Sequence, residues 1–382
     1  MEANKGNAYI VYDRVLSYDG LDQTIGGIQS YLKSLAVALT EAGWKAIIIQ
    51  KGHHEFATEI SGVVYKGFPV KGRTLSSIFK QLTENFIASV NQDSDLIIWG
   101  SFYNSIPLKD YRTISIQHGI SYDRVSDSKL NKFLINLGLG FLIKYGQRRI
   151  ALTKFLNCKY KVCVDYNFLN WYRTFSLRKD DHEIKVIPNF TEIPDILPSP
   201  KTSYKKVLFA RRFVKHRGVD IMLEAAGRLL KKYNDISFVF AGEGPLDNKV
   251  QALCDLYTDR VSIAKYESNE ALAFHKQFDI AVVPTVGSEG TSLSLLEAMA
   301  SGCAVICSNV GGMTNIIIDR FNGLMIDPTP DQIEQAIEAI YNDHEFGNQL
   351  QGAAYSTVAN GFSKKLWKQR WLEFIDKTIM HE

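Results

Sequence analysis

The sequence predicts an α/β protein made of two doubly wound domains facing each other across a cleft. Three observations carry that expectation. The chain has 382 residues, 46% apolar and 22% charged, enough for one or two sizeable cores and unlike a disordered or fibrous polymer. Short apolar, β-branched runs alternate with longer segments of helical period, the pattern of parallel sheets covered by helices. A proline-rich stretch, from Ile187-Pro188-Asn189-Phe190 through Pro194, Pro198 and Pro200, places a linker near 188–204 and splits the alternation in two.

Taken in order, Tyr9 to Tyr12 reads as a strand and Ile28 to Ala42 as a helix of period near 3.6. Strands follow at Ala46 to Gln50, Leu96 to Trp99 and Thr113 to Gln117. Beyond the linker, Val207 to Ala210, Ser237 to Ala241, Val261 to Ala264, Ile280 to Pro284, Ala304 to Cys307 and Gly323 to Ile326 read as strands. Helical patterns fall around 218–233, 245–257, 268–277, 292–301 and 331–341. The last segment, Phe362 to Ile379, spaces Trp367, Trp371 and Phe374 by four and three, an aromatic packing stripe along one helix. Loop shapes such as those of 50–80 and 261–268 carry no readable code. The expected domains are 1–190 and 191–361, followed by a helix over 362–382. In doubly wound sheets ligands bind where loops converge at the carboxyl ends of the strands, which makes the interdomain cleft the expected site.

A net charge of +3 is too small for a nucleic-acid footprint, and no zinc-finger, RNP or heptad pattern accompanies it. The balance is uneven: residues 1–190 carry 24 Lys/Arg against 17 Asp/Glu, whereas 191–382 carry 20 against 24. Within the basic half, Lys129 and Lys132 precede the apolar stretch Phe133 to Ile143, and Lys144, Arg148 and Arg149 follow it. Two readings stay open for 129–149: a buried core helix with solvated ends, or a helix lying on an anionic, inner-membrane surface. The five cysteines, Cys158, Cys163, Cys254, Cys303 and Cys307, form no CxxC pair and read as reduced core thiols of a cytoplasmic protein. The polar start Met1 to Asn7 lacks the pattern of a signal peptide, and no apolar run reaches 18 residues, so no membrane span is expected.

The most informative stretch runs from Gly287 to Gly302. It follows a strand ending Val283-Pro284-Thr285, so Gly290, Thr291, Ser292 and Leu293 are expected at a helix N-terminus, whose free N–H groups suit a phosphate or a sugar hydroxyl. Glu289 lies in the loop and Glu297 eight positions on, two turns inside the helix. A purely structural role would have Glu289 cap the helix and Glu297 pair with a surface lysine.

Glu289 and Glu297 resemble the E-x7-E motif of retaining GT-B glycosyltransferases, especially glycosyltransferase family 4. Further blocks follow in that family's order. Ala210 to Gly218, containing Arg212 and Arg217, resembles its Gly-Arg-Leu block ending in Lys-Gly, with arginine in place of the lysine. Ala241-Gly242-Glu243-Gly244-Pro245, Val310-Gly311-Gly312, Asn322-Gly323-Leu324, the Gly26-Gly27 loop and Ile187-Pro188-Asn189 also fit. The likeness is strong over 207–327 and weak over 50–180.

The resemblance implies two Rossmann-like domains of the GT-B fold, with the final helix packing back on the first. It implies a retaining, metal-independent glycosyltransferase that moves a sugar from a nucleotide-diphosphate-sugar donor to a glycan or lipid-linked acceptor, in cell-surface polysaccharide synthesis. The second half would bind the donor and the basic first half the acceptor. Arg212, Arg217 and the Gly26-Gly27 loop would hold the diphosphate, Glu297 the ribose, and Glu289 the donor sugar. His118, ending an apolar strand, reads equally as a packed, hydrogen-bonded residue or, by the resemblance, as a contact to that sugar. Thr291 and Ser292 depart from the Phe-Gly that family members often carry. A nucleotide-sugar epimerase of the same fold and a non-catalytic nucleotide-sugar-binding module are the alternatives. Asp93-Ser94-Asp95 reads as a polar loop before a strand, and His53-His54 lacks a third ligand, so no metal and no cofactor are expected.

Overall fold

The computed structural model describes residues 5–24, 26–72, 74–120, 128–175, 184–287 and 289–378. Most of the polar start of the chain, Ser288 of the glutamate loop and the end of the final helix beyond 378 lie outside the described residues. The chain divides into two compact units: Met1–Ile187 with Lys368–Glu382, and Pro188–Trp367.

Among the described residues the first unit holds an eight-stranded sheet. Its strands are β1 (Asn7–Val11), β2 (Lys45–Gly52), β3 (Phe56–Ile60), β4 (Val63–Pro69), β5 (Leu96–Trp99), β6 (Thr113–Gln117), β7 (Tyr160–Cys163) and β8 (Ile184–Val186), ordered β3-β4-β2-β1-β5-β6-β7-β8. Neighbours are parallel except the β3–β4 hairpin. The two-residue period sends Tyr9, Val11, Ile47, Ile49, Ile97 and Trp99 to one face, where they join Phe79 and Leu82 of α2 (Leu75–Glu84). Helix α1 (Gly27–Glu41) packs on β1 and β2 and buries Leu32, Leu35 and Leu39. The 50–80 stretch, expected to contribute loops, supplies β3, β4 and the start of α2.

The stretch 133–143 is not one helix. It is split into α3 (Lys129–Asn136) and α4 (Gly140–Phe155). Gly138 takes φ +73°, its N–H donates to Ile135 O and that of Leu139 to Leu134 O, the hydrogen-bond pair that closes a helix on a left-handed glycine. Only the far end of α4 enters the core: Ala151 and Phe155 pack with Phe102 and with Phe168 and Tyr172 of α5 (Tyr166–Phe175). Phe133 and Phe141 are 59% and 64% exposed, so the core-helix reading of this stretch fails. No helix among the described residues is long and apolar enough to cross a membrane.

The second unit is a six-stranded parallel sheet in the order β11-β10-β9-β12-β13-β14. In chain order its elements are β9 (Lys206–Ala210), α6 (Val219–Lys232), β10 (Ser237–Ala241), α7 (Asp247–Leu256), β11 (Val261–Ala264), α8 (Ala271–His275), β12 (Ile280–Val283), α9 (Leu293–Ala300), β13 (Ala304–Ser308), β14 (Leu324–Ile326), α10 (Pro330–Asn342) and α11 (His344–Gly361). Val207, Phe209, Phe238, Phe240, Val282 and Ile306 face α6 and α10. Leu208, Ala281, Val283, Val305 and Cys307 face α9 and α11 on the opposite side. Both faces are covered, as a parallel sheet requires. Strand order reverses between β9 and β12, so the loops leaving these two neighbours diverge and open a crevice at their carboxyl ends.

The last helix, α12 (Lys364–Thr378), begins in the second unit, where Trp367 lies 4.2 Å from the Phe190 ring, and continues into the first. There the Trp371 indole N–H donates to Tyr31 Oη at 2.8 Å. All five cysteines are free and buried.

Candidate active site

The switch point of the second unit is filled by polar groups from the loops after β9 and β12. Three close backbone approaches set those loops. Gly218, at φ +80°, lies so near the Pro284 carbonyl that a Cβ would meet its oxygen at 1.9 Å. Val286 N–H donates to His216 O at 3.0 Å, tying the two loops together. Gly311 and Gly312 press on the backbone of Glu289 and Gly290 with no room for a side chain, and Gly312 N–H donates to Glu289 O at 2.8 Å. Asn189, from the linker, donates to Thr291 O at 2.6 Å. Glu289 is therefore presented by a loop held from both sides.

Arg211, the residue after β9, is the centre of the cluster, and it is one that sequence reasoning missed. Its guanidinium donates to Ser292 Oγ at 2.7 Å, Ser294 Oγ at 2.8 Å and Thr285 Oγ1 at 3.2 Å, and pairs with Glu289 Oε2. Arg217 reaches the same carboxylate oxygen. Burial pushes the Arg211 pKa down to about 10, which leaves it charged at neutral pH. Arg212, its neighbour, is exposed and stands apart from this network, close enough to Glu243 to favour that carboxylate's charged form.

Gly290, Thr291 and Ser292 are buried ahead of α9, with Ser292 as its N-cap and Leu293 as its first residue. Glu297 lies two turns along the same helix. Burial pushes its pKa up to about 7, against the opposing pull of Arg211. Among the described residues no side chain hydrogen-bonds or ion-pairs with its carboxylate, so the surface-lysine pairing considered from sequence is absent there. Tyr266 lies near enough for the Glu297 charge to add to the burial that raises its phenol pKa. The two glutamates thus differ: one is neutralised by two arginines, while the other keeps open acceptor capacity in a poorly hydrated place.

Gly26, Gly27 and His118 belong to the first unit. Gly26 precedes α1 in extended backbone, with no side chain capping the helix. His118 follows β6. Its Nε2 lies 2.9 Å from the Gly100 carbonyl, which fixes the proton on Nε2 and leaves Nδ1 as an acceptor. Burial pushes its pKa down to about 4, so the ring is neutral at physiological pH. Tyr31 sets the ring edge-on at 5.1 Å. Asp95 of the D-x-D string is structural: its carboxylate accepts from the backbone N–H groups of Asn7 and Asn91.

Both units are Rossmann-like α/β domains with parallel sheets, the architecture of GT-B glycosyltransferases. Residues 190–357, which hold the whole β9–β12–α9 constellation, match the family described as Glycosyl transferases group 1. An uncharacterized glycosyltransferase of Methanocaldococcus jannaschii is 28% identical over 163 residues, 42% of this chain and 41% of that protein. The chain spans about two fifths of the length of the first curated relatives it matches. Among solved structures, sucrose-phosphate synthase from Thermosynechococcus elongatus aligns at TM-score 0.76 and 17% identity over 98% of this chain and 100% of that one. The Anabaena protein HepE in complex with UDP and glucose aligns at TM-score 0.71 and 13% identity, covering 97% of this chain and 99% of the other.

Proposed function

We propose that the protein is a retaining glycosyltransferase of family 4, moving a sugar from a nucleotide-diphosphate-sugar donor to a glycan or lipid-linked acceptor in cell-surface polysaccharide synthesis. Glu297 carries the reading: a half-buried carboxylate, beside a buried arginine, with no side-chain partner among the described residues. A group in that state is costly unless a ligand supplies donors, and ribose hydroxyls do so. Leaving-group charge on a diphosphate calls for cations that need no reorganisation. Arg217 and the exposed Arg212 supply them, assisted by the N-terminus of α9. Glu289 would accept from donor-sugar hydroxyls. The arginines do the work that a divalent metal does in other transferases, so transfer proceeds without one. The HepE complex with UDP and glucose supports a uridine-diphosphate donor as the first to try.

The test is product analysis. With a panel of nucleotide sugars, a mixture of glycan and lipid-linked acceptors and excess chelator, the protein should form a glycoside whose anomeric configuration matches the donor, and Glu289→Ala should suppress it. A product of inverted configuration would reject the retaining reading. A free isomeric sugar without glycoside would reject transfer altogether.

A further inference from the structure

We propose that the α3–α4 hairpin docks the protein on a bilayer surface rich in anionic phospholipid. The inference is independent of the glycosyltransferase reading and rests on two observations. The first is apolar exposure. Phe133, Ile135, Leu137, Phe141, Leu142 and Tyr145 are all largely solvent-exposed, and they sit on one short hairpin with Gly138 at its turn. Single exposed apolar residues are ordinary on a protein surface, but six within thirteen positions of one hairpin mark a contact region. No described side chain of α3 is buried, so this helix contributes nothing to the core. The far end of α4 does: Ala151 and Phe155 are fully buried and anchor the projecting half.

The second observation is charge. From Ser128 to Val164 the chain contains no aspartate or glutamate and eight lysines and arginines. Lys132, Lys144 and Arg149 are exposed beside the apolar side chains. Two copies of this hairpin meeting face to face would bring like charges together, which argues against self-association as the occupant. Aromatic and leucine side chains reaching into acyl chains, with basic groups level with the phosphates, is the arrangement an anionic bilayer rewards. The turn at Gly138 brings the end of α3 and the start of α4 together at the tip, which carries Leu137, Phe141 and Leu142. Lipid insertion also removes from water a surface that nothing else in the described residues covers.

Flotation with vesicles tests this. The intact chain should rise with vesicles of phosphatidylcholine mixed with phosphatidylglycerol, should rise less as salt is added, and should remain below with phosphatidylcholine alone. Phe141→Ser with Leu142→Ser should lower the bound fraction at least about tenfold while leaving the melting temperature unchanged, because both side chains are already in water. Lys144→Glu with Arg149→Glu should lower it through the charge alone. Three results would each overturn the proposal. The intact chain could stay below with every vesicle, or the serine variant could float as well as the parent. Light scattering could instead find a dimer that the serine substitutions dissolve, with no flotation, which would assign the face to self-association.

Discussion

The loop before α9 and the hairpin α3–α4 are both rich in residues that a folded chain does not leave idle, yet they settle them in opposite ways. Around α9 nearly every polar group has a partner inside the second unit: Arg211 alone holds two serines, a threonine and a glutamate. Among the described residues Glu297 is the charged exception. On the hairpin the apolar groups are the ones left over, and no element among the described residues receives them. Under the proposals above, both exceptions are met from outside, Glu297 by a ligand with hydroxyl donors and the hairpin by a surface with acyl chains. An unmet requirement inside an otherwise satisfied region is what distinguishes a site from a scaffold.

The largest effect should come from breaking the satisfied side of this contrast. Arg211→Met removes the cation from a buried pair and leaves Glu289 and three hydroxyls facing an apolar chain, a loss of roughly 3 kcal/mol or more by analogy with other broken buried pairs. Urea unfolding should record it as a lower midpoint. An unchanged midpoint would mean that the arginine is not the keystone of the loop.

Next in size is the pH dependence set by Glu297. Its pKa in the folded protein, about 7, lies above the 4.5 of an unperturbed glutamate, so the folded state holds the proton more tightly than the unfolded one. Stability is therefore undiminished below pH 4.5 and falls as pH rises toward and through 7, by roughly 3 kcal/mol in the limit. Glu297→Gln should flatten that part of the profile and leave the variant more stable than the parent at pH 8. Melting curves between pH 5 and 8 decide it, and parallel profiles for the two proteins would show that Glu297 is hydrated after all.

The smallest effect belongs to the hairpin. Phe133→Ser should change stability by less than about 0.5 kcal/mol, the range of surface substitutions, despite replacing a large aromatic residue. A loss typical of a core phenylalanine would show that the hairpin packs against protein in solution.

Much of the fold was legible before the structure. Leu96–Trp99 and Ser237–Ala241 are strands with the limits read from their apolar runs, because strands buried within parallel sheets are nearly continuous in hydrophobicity, and Thr113–Gln117 and Val261–Ala264 keep the limits read for them as well. What escaped had a physical reason in each case. β3 lies at the sheet edge and alternates exposed with half-buried residues, so its pattern is faint. β7 carries a buried Lys161, which interrupts an otherwise apolar run. The split at Gly138 is a matter of one left-handed glycine within an eleven-residue, largely apolar stretch. At the site, Glu289, Glu297 and Arg217 were readable from their motifs. Arg211 was not, since it adjoins an identical residue and only the path of the backbone beyond β9 determines which of the two turns inward. The hydroxyl-rich set Thr285, Ser292 and Ser294, collected beside a glutamate, was the signal that a buried cation was needed.

The measurement that bears most directly on the central claim is calorimetric titration of the protein with UDP, in the presence of chelator, for the parent chain and for Glu297→Ala. The account predicts one site per chain in the parent and an affinity at least about tenfold weaker in the variant, the cost of losing a charge-assisted hydrogen bond or two. Equal affinity in the two proteins would contradict it, and would mean that the open carboxylate of α9 is not where a nucleotide binds.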